Sequence, residues 1–197
     1  MYRIIISSLF AVFLVACAQS TLTSAWVDRT YTKTPIKSML VIAMPDNLRV
    51  RRIFEDGMVQ KLKAQGVNAI ASSQVYPDKL PSKEIIGNYV KKHNIQTVFV
   101  GQLINIEDKN IRYLGNGFSN SVTFTNYYSS SYSYIYDDSY TVSYEFVNIE
   151  FTLFDTASHK PIWSTSSESV DPTNINNISD ELAGILVSNM KDSHLIN

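Results

Sequence analysis

The side chains that could carry chemistry are few and scattered. Of the three histidines, His93 falls on the apolar face of an expected helix, His159 in an expected turn and His194 near the C-terminus. No two stand at the H-x-x-x-H spacing that places both imidazoles on one helix face, and Cys17 is the sole cysteine, so no metal site and no intrachain disulfide is expected. Asp137-Asp138 could attract calcium, but the alternating D-x-D-x-D-G ligand spacing is missing and a polar turn is the better reading. Asp46-Asn47, with Arg49, Arg51 and Arg52 close behind, would open a helix at the carboxyl end of a strand. Open α/β sheets bind ligands at that edge, and helix amides there favour anions. Yet the turn lacks a glycine to admit a phosphate, Asp46 would repel one, and Arg51–Glu55 and Arg52–Asp56 have the spacing of ordinary i,i+4 surface pairs. No G-x-S-x-G elbow, Walker A loop or G-x-G-x-x-G turn occurs, and Leu114-Gly115-Asn116-Gly117 reads as a turn. The expectation is a protein without catalytic residues, cofactor or metal, and not an enzyme.

Aromatic hydroxyls are concentrated instead. Half of the 12 tyrosines lie in TNYYSSSYSYIYDDSY, residues 125–140. Tyr128, Tyr132, Tyr134, Tyr136, Tyr140, Val142, Tyr144 and Phe146 share one parity, and Ser129, Ser131, Ser133, Asp137, Ser139, Thr141, Ser143 and Glu145 the other, with Ile135 breaking the pattern. Period two predicts a strand or hairpin with an aromatic face rather than a coil. Tyr/Ser mixtures suit protein recognition, because tyrosine gives a large contact area at low entropic cost. Such a row can equally pack on the domain's own sheet, or stay mobile among its serines. Tyr128, Tyr132, Tyr134, Tyr136 and Tyr140 are the candidate interaction surface.

Cys17 has a different context. In MYRIIISSLFAVFLVACAQS, Arg3 precedes an apolar stretch from Ile4 to Val15, interrupted only by Ser7 and Ser8, and small residues follow. This is the layout of a secretory signal. The apolar run stops at Gln19, short of the ~20 residues that a spanning helix needs. Leu14-Val15-Ala16-Cys17 resembles the lipobox of bacterial lipoproteins. The resemblance implies cleavage between Ala16 and Cys17, a diacylglyceryl group on the thiol and an acylated amine. One acyl chain anchors marginally and two or more hold firmly. Ala18, in place of Asp, resembles the outer-membrane address of lipoproteins in enteric-type bacteria. Residues 1–16 are therefore expected to be a signal peptide, 17–24 a lipidated tether and 25–197 the folded domain, with a Tyr/Ser-rich β insert at about 118–140.

The elements that must position these groups follow from periodicity. MLVIAM (39–44) is an uninterrupted apolar run ended by Pro45, as expected of a strand buried on both faces. A helix follows, with Asp46 or Asn47 as cap, Val50, Ile53, Phe54, Met58 and Leu62 inward, Gly57 close to the sheet and Gly66 as terminator. Val67–Ala71 predicts a short strand, and Ser82 caps a helix whose face holds Ile85, Ile86, Tyr89, Val90 and His93 before Asn94 ends it. Ile95–Ile104 predicts another strand, and the alternation of elements argues for right-handed crossovers. Phe146–Phe154, the turn ASHKP and the strand from Ile162-Trp163 make a hairpin; Asp171-Pro172 would start a last helix with Ile175, Ile178, Leu182, Ile185, Leu186 and Met190 inward. The fold class is α/β: a single domain and mixed sheet, with β-α-β-α-β units, then an antiparallel hairpin and a C-terminal helix.

At 197 residues, with 45% hydrophobic and 18% charged content, one domain can bury its own core. A net charge of -1 offers no basic surplus for nucleic acid. The cysteine, the lead SAWVD, the segment LVIAMPDNLRVRRIFEDG and the strand PIWSTSSE together resemble a family of bacterial envelope lipoproteins. Their domain is similar to the N-terminal α/β domain of TolB. The likeness spans most of Ser24 to Ile196 outside the tyrosine region, and transfers no catalytic residue. It implies an outer-membrane lipoprotein, anchored by its N-terminal lipid and facing the periplasm (the inner membrane and the cell surface being the other locations). The role expected is binding or assembly in an envelope complex, with an envelope protein or further copies of itself as partner. The alternatives are a peptidoglycan or glycan binder stacking sugars on Tyr132, Tyr134 and Tyr136, and a periplasmic hydrolase.

Overall fold

A computed structural model describes residues 20–45, 47–113, 140–170 and 174–197. The elements run β1 (Ser20–Val27), β2 (Ser38–Met44), α1 (Leu48–Ala64), β3 (Asn68–Ala71), α2 (Ser72–Val75), α3 (Lys83–Lys92), β4 (Thr97–Tyr113), β5 (Tyr140–Asp155), β6 (Pro161–Val170) and α4 (Ile175–Asp192). One sheet of order β1-β6-β5-β4-β2-β3 holds all six strands. β2 is parallel to β3 and β4, and the remaining pairs are antiparallel. This is the single α/β domain with a mixed sheet that the periodicity predicted.

Met39–Ala43 are buried on both faces of β2, which is why that run does not alternate. On one face, Met39, Val41, Phe99, Phe151, Leu153 and Trp163 meet Phe54, Met58 and Leu62 of α1 and Leu182, Leu186 and Met190 of α4. On the other, Leu40, Ile42 and Ile95 meet Ile86, Tyr89 and Val90 of α3. That second layer is thinner: no residue of α3 is fully buried, and Ile85, expected inward, is exposed. His93 caps the end of α3 and rests its ring 4.3 Å from that of Tyr89.

Local signals set the boundaries. Asn47 caps α1, its side chain accepting from the amides of Arg49 and Val50, and Ser82 does the same for α3. Gly66 (φ +79°) takes the left-handed conformation after α1, and Asn94 (φ 51°) takes it after α3. The last helix corrects the expected start. Its cap is Asn174, which accepts from the amides of Asn176 and Asn177, and α4 begins at Ile175; Asp171-Pro172, the expected start, lie outside the described residues.

Four further expectations change. Ser20–Ser24, read as tether, form the first half of edge strand β1 and pair with β6. Gly57, expected close to the sheet, does not approach it: a Cβ there would meet no described atom within 4 Å beyond its own stretch of helix. β4 runs on to Tyr113, well past Ile104. Most consequential, Arg51 and Glu55 are not a surface pair. The inward stripe of α1 is Arg51, Phe54, Glu55, Met58, Val59 and Leu62, and both charged residues are 0% exposed.

The β5–β6 hairpin turns through Thr156–Lys160 and depends on Asp155. This buried carboxylate accepts from the Ser158 amide at 2.8 Å and pairs with Lys33 Nζ at 3.1 Å. Burial opposes its ionisation, but the hydrogen bonds from Ser158 and the Lys33 ammonium outweigh it and hold the carboxyl below the usual carboxylate range. A lowered folded-state pKa makes this contribution complete above the unfolded value of about 3.9, and it is lost as pH falls toward the folded pKa. Asp155→Asn should therefore lower the melting temperature at pH 7, with the gap from wild type narrowing as melts are repeated downward below pH 4.

Candidate binding site at the end of the sheet

At the Asp46-Asn47 edge, Asp46 lies outside the described residues, but Pro45 and Asn47 on either side of it border a hollow whose chemistry is not that of an anion site. Asn47 already occupies two of the free amides in the first turn of α1, those of Arg49 and Val50. The three arginines do not converge: Arg49 is exposed, Arg51 turns into the core and Arg52 donates to the Pro77 carbonyl at 2.8 Å.

Beside this edge lies a cavity of about 320 Å³ between the sheet and the first turns of α1 and α4. Gly101, Leu103 and Ile106 of β4, with Phe151, Ile149 and Val147 directly opposite on β5, make the floor. Val50 and Phe54 form one wall, Ile175, Ile178 and Leu182 the other, and Ala43 and Pro45 close the side at the end of β2. Among the described residues, the polar ones that line it are Asn47, Ser169 and Ser179. Such a lining can desolvate an aliphatic or aromatic group.

A bulge builds this floor. The β4–β5 register shifts between Leu103 and Asn105, so Ile106 joins the face of Gly101 and Leu103 although its parity differs. Uniform alternation along β4 would assign Ile106 to the opposite face, and the remaining lining residues read simply as core. The only sequence signal was the position itself, at the carboxyl ends of parallel strands with a helix opening behind them.

Beyond the hollow, β4 and β5 continue as a two-stranded arm. β2 pairs with β4 only as far as Gln102, so among the described residues the outer edge of β4 has no strand beside it from Leu103 to Tyr113. Ile104 and Ile106 are 52% and 55% exposed there. On β5, Tyr144 and Phe146 are half-buried while Ser143 and Glu145 are exposed, which is the alternation predicted for that parity. Tyr140 is the first residue of β5, paired in register with Tyr113. Tyr128, Tyr132, Tyr134 and Tyr136, the Asp137-Asp138 pair and Gly115-Asn116-Gly117 lie outside the described residues, as do Ala16 and Cys17.

Among the described residues no three His, Cys, Asp or Glu side chains gather as a metal site, and no helix is long and apolar enough to cross a membrane. His159 and His194 are exposed turn residues with positive φ.

No family model and no curated protein matches the chain. Among solved structures it is similar to a PelC dodecamer from Paraburkholderia phytofirmans, at 12% identity and TM-score 0.48, over 86% of this chain and 95% of that one. It is similar to lipoprotein GNA1162 from Neisseria meningitidis at 14% identity and TM-score 0.41, over 80% and 96%. TolB from Acinetobacter baumannii aligns at 14% identity and TM-score 0.36, over 86% of this chain and 31% of that one. With every score below 0.5, these likenesses assign no function.

Proposed function

We propose that this chain is a lipid-anchored protein of the bacterial outer membrane, facing the periplasm, that binds a partner and catalyses nothing. Cys17, the sole cysteine, closes a lipobox-like quartet behind an apolar signal stretch, and this supports the anchor. The observation that carries the binding role is the β4 edge, which from Leu103 on has no strand beside it among the described residues and is flanked by exposed Ile104 and Ile106. An extended strand from another envelope protein completes such an edge through main-chain hydrogen bonds, and side chains set the specificity. Glu107, Asp108 and Lys109 punctuate the edge with charge, which discourages indiscriminate pairing.

Photo-crosslinking in the native envelope tests this. A benzophenone side chain placed at Ile104 or Ile106 should give one discrete protein adduct, absent when the probe sits at exposed Gln60 on α1. Ile106→Lys should reduce the adduct captured from Ile104 at least tenfold. A pattern no different from the Gln60 control removes the edge as the binding element. An adduct with a second copy would make the partner the protein itself. Retention on purified sacculi, lost in a Tyr132/Tyr134/Tyr136→Ser variant, would instead favour the glycan-binding alternative.

A further inference from the structure

The hollow adjoins the point where the N-terminal segment meets the domain. Ser20, first residue of β1, is 1% exposed, and its hydroxyl shares a 2.8 Å hydrogen bond with that of Ser169. Its amide donates to Glu181 Oε1 of α4 at 3.1 Å. Ser169 lines the hollow and stands opposite Val147, a residue of the floor. β1 is thus fastened to both β6 and α4 at the margin of the cavity, and Cys17 stands three residues upstream. Three extended residues span at most roughly 10 Å. Ser20 pairs with Ser169, and Phe146 with Val170, so Ser20 stands at the end of the sheet from which the β4–β5 arm extends.

From this placement we infer that the hollow seats one acyl chain carried by Cys17 of the same molecule. The inference rests on the lipid-anchor reading above. The chemistry of the site selects an alkyl occupant: the walls are aliphatic and aromatic, and the polar residues in the described lining are only Asn47, Ser169 and Ser179. The volume, about 320 Å³, is roughly twice that of an apolar cavity that admits a benzene ring. Tethering makes the occupant local, because a short linker presents it at high effective concentration. Anchoring survives the withdrawal of one chain, since two acyl chains already hold a protein stably on a bilayer. The end of the sheet bearing the hollow then faces the membrane, and the arm leaves from that same end.

The test uses the full chain in native membranes, with p-benzoylphenylalanine placed at Leu103 on the floor, at Ile175 on the opposite wall, or at exposed Gln102 as control. After irradiation and proteolysis, mass spectrometry reads the N-terminal peptide. The expected result is a covalent link from position 103 and from position 175 to the acyl chain on Cys17, at least tenfold above the Gln102 control. Links only to free phospholipid, links only to another protein, or no link at all would overturn the inference, provided the N-terminal peptide carries its lipid. An unmodified Cys17 peptide in the unirradiated digest sinks the anchor reading itself, and so is distinguishable. Val147→Trp, which fills the floor, should retain a cooperative thermal melt and membrane attachment while the link from Ile175 falls tenfold; an undiminished link would overturn the assignment of the hollow.

Discussion

Arg51→Met is expected to lower the unfolding free energy by about 3–5 kcal/mol, the range found when one partner of a buried ion pair is removed. Arg51 Nε lies 3.1 Å from Glu55 Oε1, Nη1 donates to the carbonyls of Tyr76 and Lys79, and Nη2 donates to the Ser72 hydroxyl. Glu55 in turn accepts from the amides of Ala43 and Ser73 and from the Ser72 hydroxyl. One helical pair therefore satisfies the end of β2, the start of α2 and the loop beyond it. Methionine fills the space but leaves a buried carboxylate without its counter-charge and two carbonyls without donors. The double variant Arg51→Met/Glu55→Leu should recover only part of the loss, because the Ala43 and Ser73 amides are then orphaned at about 1–3 kcal/mol each. Arg52→Met, whose guanidinium makes an exposed contact with Pro77, should stay within about 0.5 kcal/mol. Urea denaturation of the four proteins decides the matter. Near-equal midpoints for Arg51→Met and Arg52→Met would return the pair to the surface role its spacing suggested.

That pair also marks where sequence reasoning stops. β2, the caps at Asn47 and Ser82 and the termination at Gly66 are set by neighbours in the chain, so their residue types are sufficient evidence. An Arg and a Glu at i,i+4 have the same pattern whether they face water or the core. What turns Arg51 and Glu55 inward is a demand from groups 12 to 28 residues away, namely Ala43, Ser72, Ser73, Tyr76 and Lys79. Those groups come within reach only once the β-α-β unit has closed. The candidate site was legible to the same degree. Its location followed from the Pro45–Asn47 edge, whereas its apolar character depended on a bulge and on the first turn of α4, both fixed by tertiary pairing. The tyrosine parity was legible as far as Tyr144 and Phe146, where β5 shows it.

Phe151→Ala is expected to cost about 3–5 kcal/mol, as large-to-small changes at buried aromatic positions do. Its ring lies between Phe54 of α1 and Phe99 of β4, stacked at 5.7 Å from each, and is 1% exposed. Directly opposite it in the ladder is Gly101, where a Cβ would come within 3.0 Å of the Phe151 ring. The aromatic thus covers the bare backbone of the glycine, and the two residues share one volume. Gly101→Ala should cost about 1–3 kcal/mol by overpacking. In a Phe151→Leu background the same change should cost clearly less, because the ring edge that it strikes is gone. Residues in contact are coupled in this way, so a double-mutant cycle should return a non-additive term above about 0.5 kcal/mol; strict additivity would mean that the backbone, and not the ring, absorbs the methyl group. The pair bears on binding as well, since both residues line the hollow. Phe151→Leu enlarges the cavity at a smaller cost in stability than Phe151→Ala. If the hollow seats an alkyl chain, Phe151→Leu should keep the crosslink from Leu103 to the Cys17 lipid, whereas Val147→Trp removes it. Stability and occupancy would then move in different directions at one site, an outcome that damage to the fold alone does not produce.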